Sequence, residues 1–330
     1  MRRLFSVLIV CGVVYGAFWS IVVNAIDRGV ADAVAQARSD GWDVQYSSLG
    51  TLRDWRQFRF DGVDLAVTSA DGQIAWAAPS IAVSASSVRP NQIQIDFGQK
   101  QTLSIGGQRI MIAGQKIIAN AGVGTNLATS FDHLEILMSD LAAQSDRGSL
   151  FDFAALTATM TQADAADFIY DIGLTATGLV LPAALLEDVD PTGQLGAIIG
   201  QVTLDGSVTL DTELDRFSFN QKQPSPAIMQ LAVQSLKVAW NDLTISAEGA
   251  ADVDPDGILN GRITFQTAQW RELIDFLAVA GVLDAKVVPT AQNVASMLAQ
   301  GDGHLALPIT FRDGFMSMGP LPLGPTPRLR

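Results

Sequence analysis

One cysteine, two histidines and five lysines are all that 330 residues hold of three side chains that commonly carry chemistry. The cysteine, Cys11, lies in the most apolar stretch of the chain, so the remainder has neither a disulfide nor a thiolate metal site. A lipoprotein cysteine should end an apolar run, but bulky Val10 precedes Cys11 and the run continues past it. Cys11 therefore reads as an ordinary membrane-helix residue. His133 and His304 stand far apart in sequence, and zinc or non-haem iron usually needs clustered ligands. No G-x-S-x-G elbow occurs. Basic clusters are missing beyond the terminal pairs, and 34 acidic against 21 basic residues leave a net charge of −13. That balance argues against nucleic acid and against peripheral attachment to anionic lipid.

Two motifs look like sites and do not hold up. Asp252-Val253-Asp254-Pro255-Asp256-Gly257 begins like a calcium loop, yet Pro255 falls inside it and no Glu stands at the twelfth position. The flanking segments alternate, so the acids mark a hairpin turn. Gly106-Gly107 and Gly122-x-Gly124 lack the Lys-Ser/Thr and βαβ context of a phosphate cradle. No residue is assigned as catalytic, as cofactor-binding or as a metal ligand, and an enzyme is not called for.

What the chain does have is an opening run without charge. Met1-Arg2-Arg3 is followed by 23 uncharged residues, Leu4 to Ile26. At about 1.5 Å per residue they reach roughly 34 Å as a helix, enough for a hydrocarbon core of about 30 Å. Arg2 and Arg3 bias the N-terminus toward the cytoplasm. The length favours a retained anchor over a cleaved signal, although Val23-Asn24-Ala25 is an acceptable cleavage site. Either reading exports the rest. The expectation is a single pass of the inner membrane by residues 1–26, a juxtamembrane helix over 27–41 ending at Gly41, and the bulk of the chain in the periplasm.

Beyond it, 48% apolar against 17% charged residues, rich in Val, Ile, Thr, Ser and Gly, favours strands. Alternating runs spaced about ten residues apart, with Asp61-Gly62 and Asp71-Gly72 as hairpin turns, predict an antiparallel meander. Leu181–Leu195 reads as a loop with a short helix. Gln223-Pro224-Ser225-Pro226 marks a break, dividing β-rich regions at 42–222 and 223–330. Trp270–Gly281 and Val288–Gly301 carry amphipathic helical periodicity. The fold class expected is α+β, mostly antiparallel β: a transmembrane helix, then an elongated or curled sheet domain with two late helices. Several strands carry more Ile, Leu and Val than a sheet with one exposed face needs. Two readings stay open: a closed sandwich core, or a curled sheet whose apolar face receives acyl chains. Alternation selects Ile110, Ile112, Val202, Leu204, Val238 and Ile245 as candidate lipid-lining positions.

The C-terminal residues carry a resemblance. Asp313-Gly314, Gly319-Pro320-Leu321-Pro322-Leu323-Gly324 and Pro327, after a sheet-and-helix unit, are similar to the closing pattern of the domain-of-unknown-function 2125 family. Gly41 to Tyr46 (GWDVQY), Pro79-Ser80-Ile81 and Arg89-Pro90-Asn91 fit the family's N-terminal half. Arg53–Phe60 (RDWRQFRF) departs from the Gly-aromatic-Pro turn expected there. The resemblance implies a Gram-negative envelope protein, distantly AsmA-like, with a phospholipid or other acyl-chain lipid as its partner. The alternative it leaves is an interaction module that positions another envelope protein.

Overall fold

The computed structural model describes residues 31, 34–39, 41–53, 57–124, 130–164, 168–190, 193, 195–215, 218, 226–279, 286, 288–299, 303–318, 321–326, 328 and 329. The apolar run over 4–26, with Cys11 and the expected anchor, lies outside them, as do residues 223–225 of the expected break. Among the described residues no helix is long and apolar enough to cross a membrane. Residues 34–39 are helical, and the helix ends as Gly41 predicts. Gly41 takes φ 88°, its N–H donates to Arg38 O (3.1 Å), and the Trp42 N–H donates to Ala37 O (3.0 Å). That pair of bonds is a Schellman stop, satisfying carbonyls the helix leaves open.

The chain is mostly antiparallel sheet and separates into two units, 1–120 and 121–330. In the first, β1 (Asp43–Gln45) and β2 (Ser48–Arg53) pair with successive halves of β3 (Gln57–Thr68). Then β4 (Ile74–Ser86) pairs with the other edge of β3. On the far edge of β4 run β5 (Gln92–Asp96) and β6 (Lys100–Ile105), followed by β7 (Gln108–Ala113) and β8 (Lys116–Val123). Asp71-Gly72 makes the β3–β4 turn: the Asp71 carboxylate accepts from Ser69 Oγ (2.6 Å) and Gln73 N (3.0 Å), which holds its pKa below the ordinary value.

Asp61-Gly62 is not a turn. Both lie inside β3, paired with Ala82 and Ile81. Glycine is there for space, since a Cβ at Gly62 would come within 2.9 Å of the Ile81 side chain. Asp61 is held by Arg59 at 2.9 Å.

A line of irregularity crosses this sheet at one level. Asp64 in β3 sits at φ 51°, with Pro79, which has no N–H, standing at its level in β4. Between Ala82↔Asp96 and Ala77↔Thr102 the adjoining column gains one residue, spent at Phe97–Gln99. Apolar alternation changes phase there: Phe58 and Phe60 precede the line in β3, Leu65 and Val67 follow it. Such bulges bend a strand and increase its twist.

The second unit is a meander in chain order. It runs β9 (Phe131–Ser145), β10 (Gly148–Asp164), β11 (Ile169–Val180), β12 (Ile198–Leu210) and β13 (Ile228–Trp240). It continues through β14 (Leu243–Val253), β15 (Leu259–Thr267), β16 (Leu305–Arg312), β17 (Phe315–Met318) and β18 (Leu321–Pro325). The Asp254–Gly257 turn is a hairpin turn, with Asp254 Oδ1 accepting from the N–H groups of Asp256 and Ile258, both at 2.9 Å. Helix α1 (Ala183–Val189) lies in the β11–β12 connection, where the sequence placed a short helix. Helices α2 (Trp270–Val279) and α3 (Val288–Leu298) interrupt β15 and β16 and bury Trp270, Ile274 and Ala295 against Leu305. A second cluster, Ala251, Val253, Leu259 and Phe311, sits between β14 and β16.

Candidate functional site

Register turns the alternation of the second unit into two contrasting faces. One cross-strand row reads Leu156, Ala176, Val202, Val238, Ile245 from β10 to β14. The next, Ala158, Leu174, Leu204, Leu236, Ala247, Phe265, Leu307, reaches β16. One residue over, on the opposite face, the row is Thr157, Thr175, Thr203, Lys237, Ser246, Gln266. The strand backbones are spent on one another, so a molecule meeting the first face meets carbon almost exclusively.

Exposure says how far that face is closed. Leu156, Leu174, Val202, Leu204, Leu236, Val238 and Ile245 are all half-buried. A second layer closing the sheet, as in a sandwich, should bury such side chains almost completely. Within the rows only the small Ala176 and Ala247 are buried, and large side chains reach full burial at the margins. Trp240 is 7% exposed, its indole N–H donating to Gly196 O (2.9 Å) in the loop that carries α1. At the other end Tyr170 is fully buried, with Phe131 packed edge-on against its ring at 5.8 Å. Its hydroxyl accepts from the Leu214 N–H at 2.8 Å. Desolvation pushes the Tyr170 pKa above its ordinary value of 10.0, with nearby Glu213 and Asp215 adding to the rise.

The rows also bend. Register shifts at Asp205/Gly206 and between Val233 and Leu236, and Gly249 sits at φ 145°. A Cβ at Gly249 would run into the Arg262 carbonyl, and one at Gly206 would come within 2.6 Å of Ala232 O. Neighbouring backbones approach there more closely than a side chain allows.

Of the six lining positions chosen from alternation, Val202, Val238 and Ile245 fall in one row and Leu204 in the next. Ile110 and Ile112 lie in β7 of the first unit, opposite Leu103 and Gln101. Leu156, Leu174, Leu236, Phe265 and Leu307 share the face and were missed. Their alternation is as regular, but one strand's alternation does not say which strands will be its neighbours. His133 is surface-lying, with Nδ1 2.9 Å from Asp132 Oδ2, and His304 is exposed just before β16. Among the described residues no group of three or more His, Cys, Asp or Glu could hold a metal ion.

The arrangement defines a class: an antiparallel meander, apolar on one face and hydroxyl-rich on the other, with the two late helices packed on the β16 end of the apolar face. Residues 19–327 match the family described as "Uncharacterized protein conserved in bacteria (DUF2125)", and the chain belongs to that family. No curated protein and no solved structure matches the chain.

Proposed function

We propose that the second unit binds acyl chains of a phospholipid on its apolar face and shields them from water, without making or breaking bonds. The observation that carries this reading is the pair of adjacent rows: carbon side chains from Leu156 to Ile245, hydroxyls and amides one residue over. At about 0.8 kcal/mol per buried methylene, a 16-carbon chain gains roughly 12 kcal/mol before ordering costs. The apolar run over 4–26 would anchor the protein in the inner membrane and deliver the sheet to the periplasm.

The test is lipid carried through purification. Full-length protein, solubilised in a non-phospholipid detergent, is extracted and analysed by mass spectrometry beside Val202→Asp and Val238→Asp. Stoichiometric phospholipid in the parent and its loss in variants that keep the parent circular dichroism spectrum support the proposal. Phospholipid no higher than in a control membrane protein defeats it. A second reading, docking of another envelope protein, has its own observation. Helix α3 leaves Val294, Met297 and Leu298 exposed at 50%, 85% and 57%, one stripe at i, i+3 and i+4. One protein cross-linked in stoichiometric amount through that stripe, with no lipid extracted, would favour it.

A further inference from the structure

The irregular line across the first unit opens a cavity of about 400 Å³, and its wall carries two of the chain's five lysines. Lys100 begins β6 and Lys116 begins β8, each the first residue after its column loses register. Neither makes an ion pair or a side-chain hydrogen bond among the described residues. Ser80, Gln99 and Gln115 bring a hydroxyl and two amides to the same wall. One carboxylate is present too: Asp96, whose Oδ1 accepts from the Gly98 N–H at 2.9 Å. The wall therefore bears two positive charges against one negative, within a chain whose net charge is −13.

The backbone is tightly packed beside this cavity. Gly98 stands at φ 69°, and a Cβ there would lie 2.7 Å from Ser80 Oγ and 2.8 Å from Ser80 O. Only glycine lets the bulge cross beside Ser80. Both lysines are exposed, and two positive charges on one wall favour an anion there. The mixture of ammonium, hydroxyl and amide donors suits an anion with several acceptor oxygens around one centre.

We infer that this cavity binds a phosphate group, either free or as the headgroup of a phospholipid. Lys100 and Lys116 supply the charge, and the Ser80 hydroxyl and the two glutamine amides orient the oxygens. The site needs nothing from the apolar face of the second unit, and neither proposal depends on the other.

The experiment uses the full-length chain in a neutral detergent, with two probes. Inorganic phosphate is titrated and followed by ³¹P line broadening. Vesicles of phosphatidylcholine with or without phosphatidylglycerol are followed by co-sedimentation. Each lost charge-assisted contact should weaken binding about tenfold or more, so the double variant Lys100→Gln/Lys116→Gln should abolish it in the range where the parent saturates. Lys237→Gln, on the hydroxyl-rich face of the other unit, should bind as the parent does. Both probes bound in a Lys100/Lys116-dependent manner, or phosphate alone, supports a phosphate site. Phosphatidylglycerol vesicles alone, with the same dependence, assigns the group to a lipid headgroup. Binding of neither probe, or binding that survives the double substitution, overturns the inference. The double variant should still carry the phospholipid that co-purifies with the parent, which separates this result from failure of the acyl-chain proposal.

Discussion

Tyr170 shows how much one buried oxygen can govern. Its hydroxyl is the acceptor for the Leu214 N–H, and Leu214 O in turn accepts from the Phe131 N–H. Tyr170→Phe leaves a donor without its partner and should cost about 1–3 kcal/mol in urea unfolding. The ionisation follows from the same burial. A phenol whose pKa is raised on folding keeps its proton longer in the native state than in the unfolded one. Its stabilising contribution is complete below pH about 10 and is lost as pH climbs through the native value. Thermal melts of the parent should fall above pH about 10, and Tyr170→Phe should remove that part of the decline. Glycines divide by the same kind of local reasoning. Gly72, at φ 68° with open space around its would-be Cβ, should tolerate alanine at a cost of about 1 kcal/mol. Gly249→Ala drives a methyl into the Arg262 carbonyl and should cost about 3 kcal/mol or more. Differential scanning fluorimetry of the two variants would rank them.

At the scale of elements, the sequence was most legible where a strand runs without interruption. The hairpin turns at Asp71-Gly72 and Asp254–Gly257, and the helices beginning at Trp270 and Val288, stand where composition put them. Asp61-Gly62 misled because Asp-Gly signals a turn only when the backbone needs positive φ. Here the glycine makes room for Ile81. The phase changes were harder still. Leu134, Ile136 and Met138 in β9 give way to Leu141 and Ala143 after Asp140 at φ 46°, and Gly178 in β11 does the same work at φ 62°. A strict period of two cannot register an inserted residue, so the face looked shorter in sequence than it is. The Trp240 indole ties the loop at one margin of that face to the sheet. Trp240→Phe removes the bond to Gly196 O, and amide hydrogen exchange across residues 183–190 should quicken while the strand cores keep their protection.

For the whole molecule, the question is what meets the apolar rows. Val202→Asp and Val238→Asp put a charge where an acyl chain would lie. A changed stripe on α3, Met297→Glu for instance, touches only an outward surface and should leave co-purified lipid unaltered. Which of these substitutions strips phospholipid in mass spectrometry locates the lipid on the sheet or on the helix. The order of the strands has a consequence of another kind. Among the described residues, the ladders between β9 and β18 join strands that follow one another in the chain. A polypeptide threaded through a translocation pore from its N-terminus could zip up one hairpin at a time, each new strand finding its partner already in place. No strand would wait for a distant mate, so oily sheet edge would be exposed only at the growing tip.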